Sequence, residues 1–281
     1  MKLGLQTVCA ADLDVDGLIA LARKHGLAGL ELATGYLGKF RGESDGPEWH
    51  VNTKDLLASA EKIALKARDA GIEIFAFATR AGAEQTAEVE ALCRAAQSIG
   101  CPFVRVGPGK YDPALGFWAS MDRSRRHLGQ AVEIARQYGV RAVVELHDNT
   151  MADGVLACHE LVKGFSPKDL GIIFDAGNAA VFGFQPWAEA LDILLPHISH
   201  VHLKDMQWIR KDGKLGTTFA GPGEGLVDWA EVIKLLHARG YRGYLSIEDY
   251  RGGWCARNPE WPTERKVVDW KAYVDPILAA L

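Results

Sequence analysis

The chain has 281 residues, 48% of them hydrophobic and 24% charged, enough apolar material for one large core and a length usual for a single (β/α)8 domain. Its 36 acidic against 32 basic residues, a formal charge of -4, exclude the strongly basic balance of a duplex-tracking surface, and no nucleic-acid partner is expected. The five cysteines, Cys9, Cys93, Cys101, Cys158 and Cys255, are scattered and form no CxxC pair, which argues against a disulfide framework or zinc knuckle and for a reduced, cytoplasmic setting.

Apolar, β-rich segments alternate with amphipathic ones along the whole chain. Residues 2–8 are the first strand, entered without a basic leader or cleavage site, and 15–25 its helix, with Leu18, Leu21 and Ala22 on one face. A short strand at 28–32 precedes a polar, glycine-rich insertion at 33–51 and a helix at 53–70. Strand three spans 72–77 and its helix 83–99; strand four spans 103–106 and its helix 121–138. Strand five covers 142–146 with a helix at 152–163, and strand six covers 171–174 with a helix at 186–195. Strand seven is 198–203, followed by a long polar loop through Gly225 and a helix at 229–239; strand eight is 243–247 and the last helix 264–278.

Helices that stop at Gly71, Gly100 and Gly139 before an apolar strand suit this alternation. Eight such units predict an α/β protein with one single (β/α)8 TIM barrel over residues 1–281. An open doubly wound sheet would place a glycine-rich phosphate turn after the first strand, where this chain has CAADLDVD. No apolar stretch reaches membrane-spanning length, so a soluble protein without a membrane partner is expected.

Polarity intrudes on the apolar strands in AVVELHDN, IIFDAGN, SHVHLKD and YLSIEDY, which place Glu145, Asp175, His202 and Glu248 at the ends of strands five to eight. In a closed barrel those ends converge on one mouth. Three carboxylates there would repel one another and resist burial, and a divalent cation shared with a neutral imidazole removes both problems. This oxygen-rich set favours Mn2+, with Mg2+ or Co2+ as alternatives and Zn2+ retained by the imidazole. Each acid taken singly could equally be a helix cap or an ion-pair partner. His200 and His202 point to one side of strand seven; His202 is the better ligand because it lies nearer the strand end, and His200 sits a layer below.

With HVHLKD, GPGEG at 221–225 and DW at 228–229, the sequence resembles the xylose isomerase-like TIM-barrel superfamily, in particular its sugar isomerase/epimerase branch. The resemblance covers essentially the whole chain and implies the same four ligands, with Glu145 and Glu248 doubling as acid and base on opposite faces of a ketose. That superfamily also holds inosose and dehydroshikimate dehydratases, C-glycoside deglycosidases and endonuclease IV. Two positions depart from the ketose 3-epimerases: Asn178 stands where they carry a strand-six histidine against substrate, and Trp208 where they carry an arginine. The DAGN pattern is similar to that of ketose-phosphate epimerases, for which the amides of residues 221–225 are the candidate phosphate cup. The extra histidines of endonuclease IV have no counterpart beyond His25 and His50.

The resemblance leads to an epimerase or isomerase of a ketose or keto-polyol, working through an ene-diolate, with Glu145 and Glu248 moving the proton. The alternatives are a lyase of the same superfamily, a keto-polyol dehydratase or 3-keto-C-glycoside deglycosidase, or a noncatalytic sugar-binding protein. For a lyase His147, two residues beyond Glu145, protonates the leaving group; otherwise it contacts a hydroxyl. Lys204 either neutralises an enolate or pairs with Asp205 or Glu248. Glu31 and Arg105 are candidates for substrate hydroxyls or for local ionic support. Among the aromatic candidates for the wall of a sugar site, Tyr36, Phe77, Trp118, Phe182, Trp208 and Trp254, the polar loops around Trp208 and Trp254 favour those two. The expected partner is a small sugar or keto-polyol, with a homo-oligomer, or a hetero-oligomer for a deglycosidase, as the expected assembly.

Overall fold

A computed structural model describes residues 1–34, 50–51, 55–253 and 258–281. Eight parallel strands close into a barrel: β1 (Lys2–Gln6), β2 (Gly29–Ala33), β3 (Glu73–Ala78), β4 (Phe103–Arg105), β5 (Arg141–Glu145), β6 (Leu170–Asp175), β7 (Ile198–Leu203) and β10 (Tyr244–Ile247). Strand β1 pairs with β2 on one side and with β10 on the other, which seals the sheet and leaves the barrel no edge. Helices α1 (Val15–His25), α2 (Leu56–Asp69), α3 (Thr86–Ile99), α4 (Phe117–Gln137), α5 (Val155–Val162), α7 (Trp187–Leu194), α8 (Trp229–Ala238) and α9 (Thr263–Ala279) follow the strands in turn. Local chemistry sets their limits: Asp14 caps α1 by accepting the Gly17 amide, and Gly100 ends α3 at φ 72°, where a Cβ would be strained.

The core lies between the strands and these helices, where Leu5, Leu18, Leu30, Leu128 and Trp229 are fully enclosed. The barrel's lower interior is plugged by aromatic rings. Phe75 stacks on Tyr244 with centroids 3.9 Å apart, and the His200 ring packs against Phe75 and Phe103. The acidic side chains at the strand ends lie in the layer above, at the carboxyl ends of the strands. Cys9, Cys93, Cys101 and Cys158 are buried free thiols, and no helix among the described residues is long and apolar enough to cross a membrane.

Two elements differ from the sequence expectation. The polar stretch after β7 is no loop but an antiparallel ribbon, β8 (Asp205–Lys211) and β9 (Lys214–Ala220). Its two-residue turn holds Asp212 at φ 51° and Gly213 at φ 75°, the left-handed pair that an Asp-Gly hairpin requires. Strand β6 also runs straight into a short helix, α6 (Ala176–Phe182), instead of a loop leading to residue 186.

The ribbon is tied to the barrel by Asp205. Its buried carboxylate accepts the amides of Met206, Gly223, Gly225 and Val227 at 2.9–3.2 Å. A Cβ on Gly225 would stand 2.2 Å from Asp205 Oδ1, so the backbone approaches this closely only as glycine. Gly221 donates its amide to Glu224 Oε2, and Glu224 its own to the Gly221 carbonyl. The amides considered as a phosphate cup are therefore already bonded within the protein; Pro222 has none to offer.

Candidate metal centre

The ends of β5, β6, β7 and β10 bring Glu145, Asp175, His202 and Glu248 together, with one ligand atom from each lying within 4.8 Å of the others. Register accounts for part of this: Asp175 pairs with His202 across β6 and β7, and His202 with Ser246 across β7 and β10, so neighbouring strands present the set at nearly one height. All four are buried, at 0–3% exposure.

His202 Nδ1 lies 3.2 Å from Glu248 Oε2, 3.4 Å from Glu145 Oε1 and 3.8 Å from Asp175 Oδ2. It receives no directed hydrogen bond, and neither does either oxygen of Glu145. Buried polar atoms without directed hydrogen bonds are costly, and the facing Glu145 Oε1 and His202 Nδ1, from two different strands, suit a shared cation. On chemistry and on geometry the donor set fits a divalent metal, and a divalent-metal-binding site is present here.

Other charged side chains surround the set. Lys204 Nζ stands 2.5 Å from Asp175 Oδ2 and 2.8 Å from Glu248 Oε2, while Arg105 Nη2 stands 2.7 Å from Glu145 Oε2. Of the two ion-pair partners foreseen for Lys204, Glu248 is used and Asp205 is not, because Asp205 is committed to backbone amides. Glu31, a candidate for a substrate hydroxyl or for local support, is buried inside the barrel. Its carboxylate faces His202 Nε2 at 3.0 Å and His200 Nε2 at 3.4 Å and accepts from Ser246 Oγ. This contact holds the His202 Nε2 proton and turns Nδ1 toward the ligand set, as carboxylates do for metal-bound imidazoles.

Asn178 is likewise drawn into the protein. Asp175 caps α6 by accepting the Asn178 amide at 2.8 Å, and the Asn178 side chain donates to Asp175 Oδ2 and to the Leu146 carbonyl. The side chain thus positions Asp175, and its donors are occupied. His147 is half-buried in the loop after β5, its Nδ1 2.7 Å from Asp148 Oδ1. Trp208 is 45% exposed on the ribbon, Trp118 is exposed, Phe182 is partly exposed and Phe77 is enclosed; Tyr36 and Trp254 lie outside the described residues. Two participants escaped the sequence reading. Gln6 Nε2 and the Tyr250 hydroxyl both donate to Glu248 Oε1, at 2.9 and 3.1 Å.

Electrostatics follow from this crowding. Burial opposes the charge on Glu248, yet His202 and Lys204 outweigh it and hold the carboxyl well below its ordinary range. Glu145 is held low against burial by Arg105 and His202. Asp175 is pushed up by burial despite Lys204. Burial disfavours a charged His202, but Glu248 and Glu31 raise its pKa well above the usual imidazole value. Without a cation these carboxylates favour a second proton on His202, which a metal ion binding at Nδ1 displaces. Lower pH strengthens the competing proton, so Mn2+ affinity is expected to fall as pH falls from 8 to 6, with about one proton released per ion bound. Calorimetry in two buffers of different ionisation enthalpy reads that release directly; binding with no proton release would show that His202 is not displaced in this way.

Residues 19–269 match the family model described as xylose isomerase-like TIM barrel. The chain belongs to this family. It carries the buried His/Asp/Glu set of a metal-dependent enzyme of that barrel family. An inosose dehydratase of Klebsiella pneumoniae is 32% identical over 147 residues, 47% of this chain and 47% of that protein. The chain thus spans about half the length of the curated relatives it matches. Two solved structures share the fold over nearly all of both chains. They are the IOLI protein with a binding zinc atom (TM-score 0.75, 18% identity, 100% and 99% covered) and D-psicose 3-epimerase with D-tagatose from Clostridium cellulolyticum H10 (TM-score 0.73, 17% identity, 99% of each covered).

Proposed function

We propose that the chain is a metal-dependent lyase that removes water from a cyclic keto-polyol of the inosose class. The observation that carries this reading is a histidine close enough to a candidate base for their charges to act on each other: His147 follows Glu145 by two residues, and Asp148 holds its Nδ1. Burial lowers the pKa of His147, but Asp148 and Glu145 together raise it above the ordinary value, which favours the protonated, proton-donating form of the ring. The named activity of the inosose dehydratase relatives points the same way.

A divalent cation on Glu145, Asp175, His202 and Glu248, with Mn2+ favoured for three carboxylates and one imidazole, would offset negative charge on the enolate oxygen and so acidify the neighbouring C–H. A glutamate of the centre takes the proton from the carbon next to the carbonyl. The electron pair of that C–H bond forms the new C=C bond as the β-hydroxyl departs, and His147 gives its proton to the hydroxyl, releasing water. The product is an unsaturated keto-polyol. Lys204, donating to Glu248, keeps positive charge beside the reacting centre. The cup amides bonded to Asp205 and Glu224 support a free polyol over a phosphorylated one.

Mass analysis of products from a Mn2+-loaded panel of inososes, free ketoses, ketose phosphates and 3-keto-glycosides tests the reading. Loss of one water from an inosose is the expected result; an isomer of unchanged mass would establish epimerisation instead, and no turnover on any of them would leave a binding protein. His147→Gln is expected to slow dehydration about 10²-fold while exchange of the carbon-bound proton continues, because only departure of the hydroxyl needs this acid. In the native chain the dehydration rate falls as pH rises through the raised pKa of His147, since the donor must be protonated.

A further inference from the structure

The two glutamates are bonded very differently. Glu248 is 3% exposed, and its Oε1 accepts the Gln6 amide at 2.9 Å and the Tyr250 hydroxyl at 3.1 Å. Its Oε2 accepts Lys204 Nζ at 2.8 Å and faces His202 Nδ1 at 3.2 Å. A carboxylate oxygen has two in-plane acceptor positions. On Oε1 both are filled, and on Oε2 one is filled while the other looks toward the ligand set. The Gln6 amide cannot reverse without setting oxygen against oxygen, and the Tyr250 ring is braced by Phe219, with centroids 5.3 Å apart.

Glu145 is as deeply buried, at 1% exposure, but receives no directed hydrogen bond on either oxygen. Its close cationic contacts are Arg105 Nη2, 2.7 Å from Oε2, and His202 Nδ1, 3.4 Å from Oε1, neither aligned as a hydrogen bond. Acceptor positions on Glu145 are therefore open where those on Glu248 are spent.

We infer that the glutamates are not interchangeable: Gln6 and Tyr250 are positioning residues that fix Glu248 as a charged ligand with no lone pair left for carbon, and Glu145 alone takes the substrate proton. Epimerisation by opposed bases needs a basic lone pair on each face of the substrate, whereas elimination needs one base and one acid, here Glu145 and His147. The assignment of the base rests on the proposed lyase chemistry; the fixing of Glu248 does not.

Two measurements separate these claims. Calorimetric titration of Mn2+ into the chelator-stripped full chain is expected to give affinities about 10- to 100-fold weaker for Gln6→Leu and for Tyr250→Phe, the usual cost of removing a partner that orients a ligand. Tyr250→Phe deletes one oxygen and keeps the ring on Phe219, so its fold is preserved if Gln6→Leu proves unstable. Unchanged affinity in a folded Tyr250→Phe overturns the fixing of Glu248, whether or not any substrate turns over. Exchange of the carbon-bound proton of an inosose in D2O, at saturating Mn2+, is expected to drop about 10²- to 10⁴-fold in Glu145→Gln and about tenfold in Glu248→Gln. Equal losses in the two overturn the single-base assignment. An absence of exchange in the native chain refutes the lyase reading and the base assignment with it, while the titration still decides the roles of Gln6 and Tyr250.

Discussion

Asp175→Ala is expected to leave the barrel folded but to cut bound Mn2+ to below about a tenth and turnover by about 10³-fold, the rate equivalent of the several kcal/mol a catalytic cation contributes. Asp175 serves two ends with one carboxylate. Oδ1 caps α6 through the Asn178 amide, and Oδ2 faces the centre, held by Asn178 Nδ2 and Lys204. Alanine removes the ligand and the cap together, and loss of the cap costs about 1 kcal/mol of stability. Asp175→Asn keeps an oxygen to cap the helix but gives up the charge, so it should recover most of the stability and little of the metal. Metal analysis after desalting and thermal unfolding of both variants separate the two contributions; full occupancy in Asp175→Ala would remove this residue from the ligand set.

Glu31→Ala is expected to weaken Mn2+ binding about 10- to 100-fold although Glu31 is not among the four converging ligands. Burial works against charge on Glu31, but His202 and His200 overcome it and hold the carboxylate ionised. Without it the His202 Nε2–H loses the carboxylate it faces, and the imidazole is no longer held to offer Nδ1 toward the centre. Glu31→Gln retains a carbonyl that can accept from Nε2 and should fall between the native chain and alanine. Titration of Mn2+ into the three proteins gives the order; native affinity in Glu31→Ala would mean that packing alone orients His202.

The barrel is legible because each strand is a short apolar run and its helix an amphipathic one, and the site because three carboxylates and an imidazole stand at the ends of four successive strands, where any one alone could be a cap or an ion-pair partner. The same rule contained Gln6, a polar residue at the end of KLGLQ, but an uncharged amide attracts less notice than an acid. The sequence places Glu31 at the end of strand two but does not show that it faces His200 and His202. A register shift between Leu30 and Glu31 in the β2–β3 pairing marks an irregularity that strand alternation alone does not reveal. The ribbon after β7 resembles a loop in sequence because its strands are polar and partly exposed, although Asp212-Gly213 carries the hairpin signal. Helix α6 has seven residues, too few for periodicity to register, and its cap is the same Asp175 that reads as a ligand. Tyr250 could not be assigned to Glu248 from spacing, since the contact depends on how the chain turns after β10.

Anomalous diffraction from crystals of the full chain soaked in Mn2+ tests the central claim most directly. One peak is predicted, bounded by carboxylate oxygens of Glu145, Asp175 and Glu248 and by His202 Nδ1. A peak elsewhere, or none at saturating Mn2+ in crystals that still diffract, would contradict it.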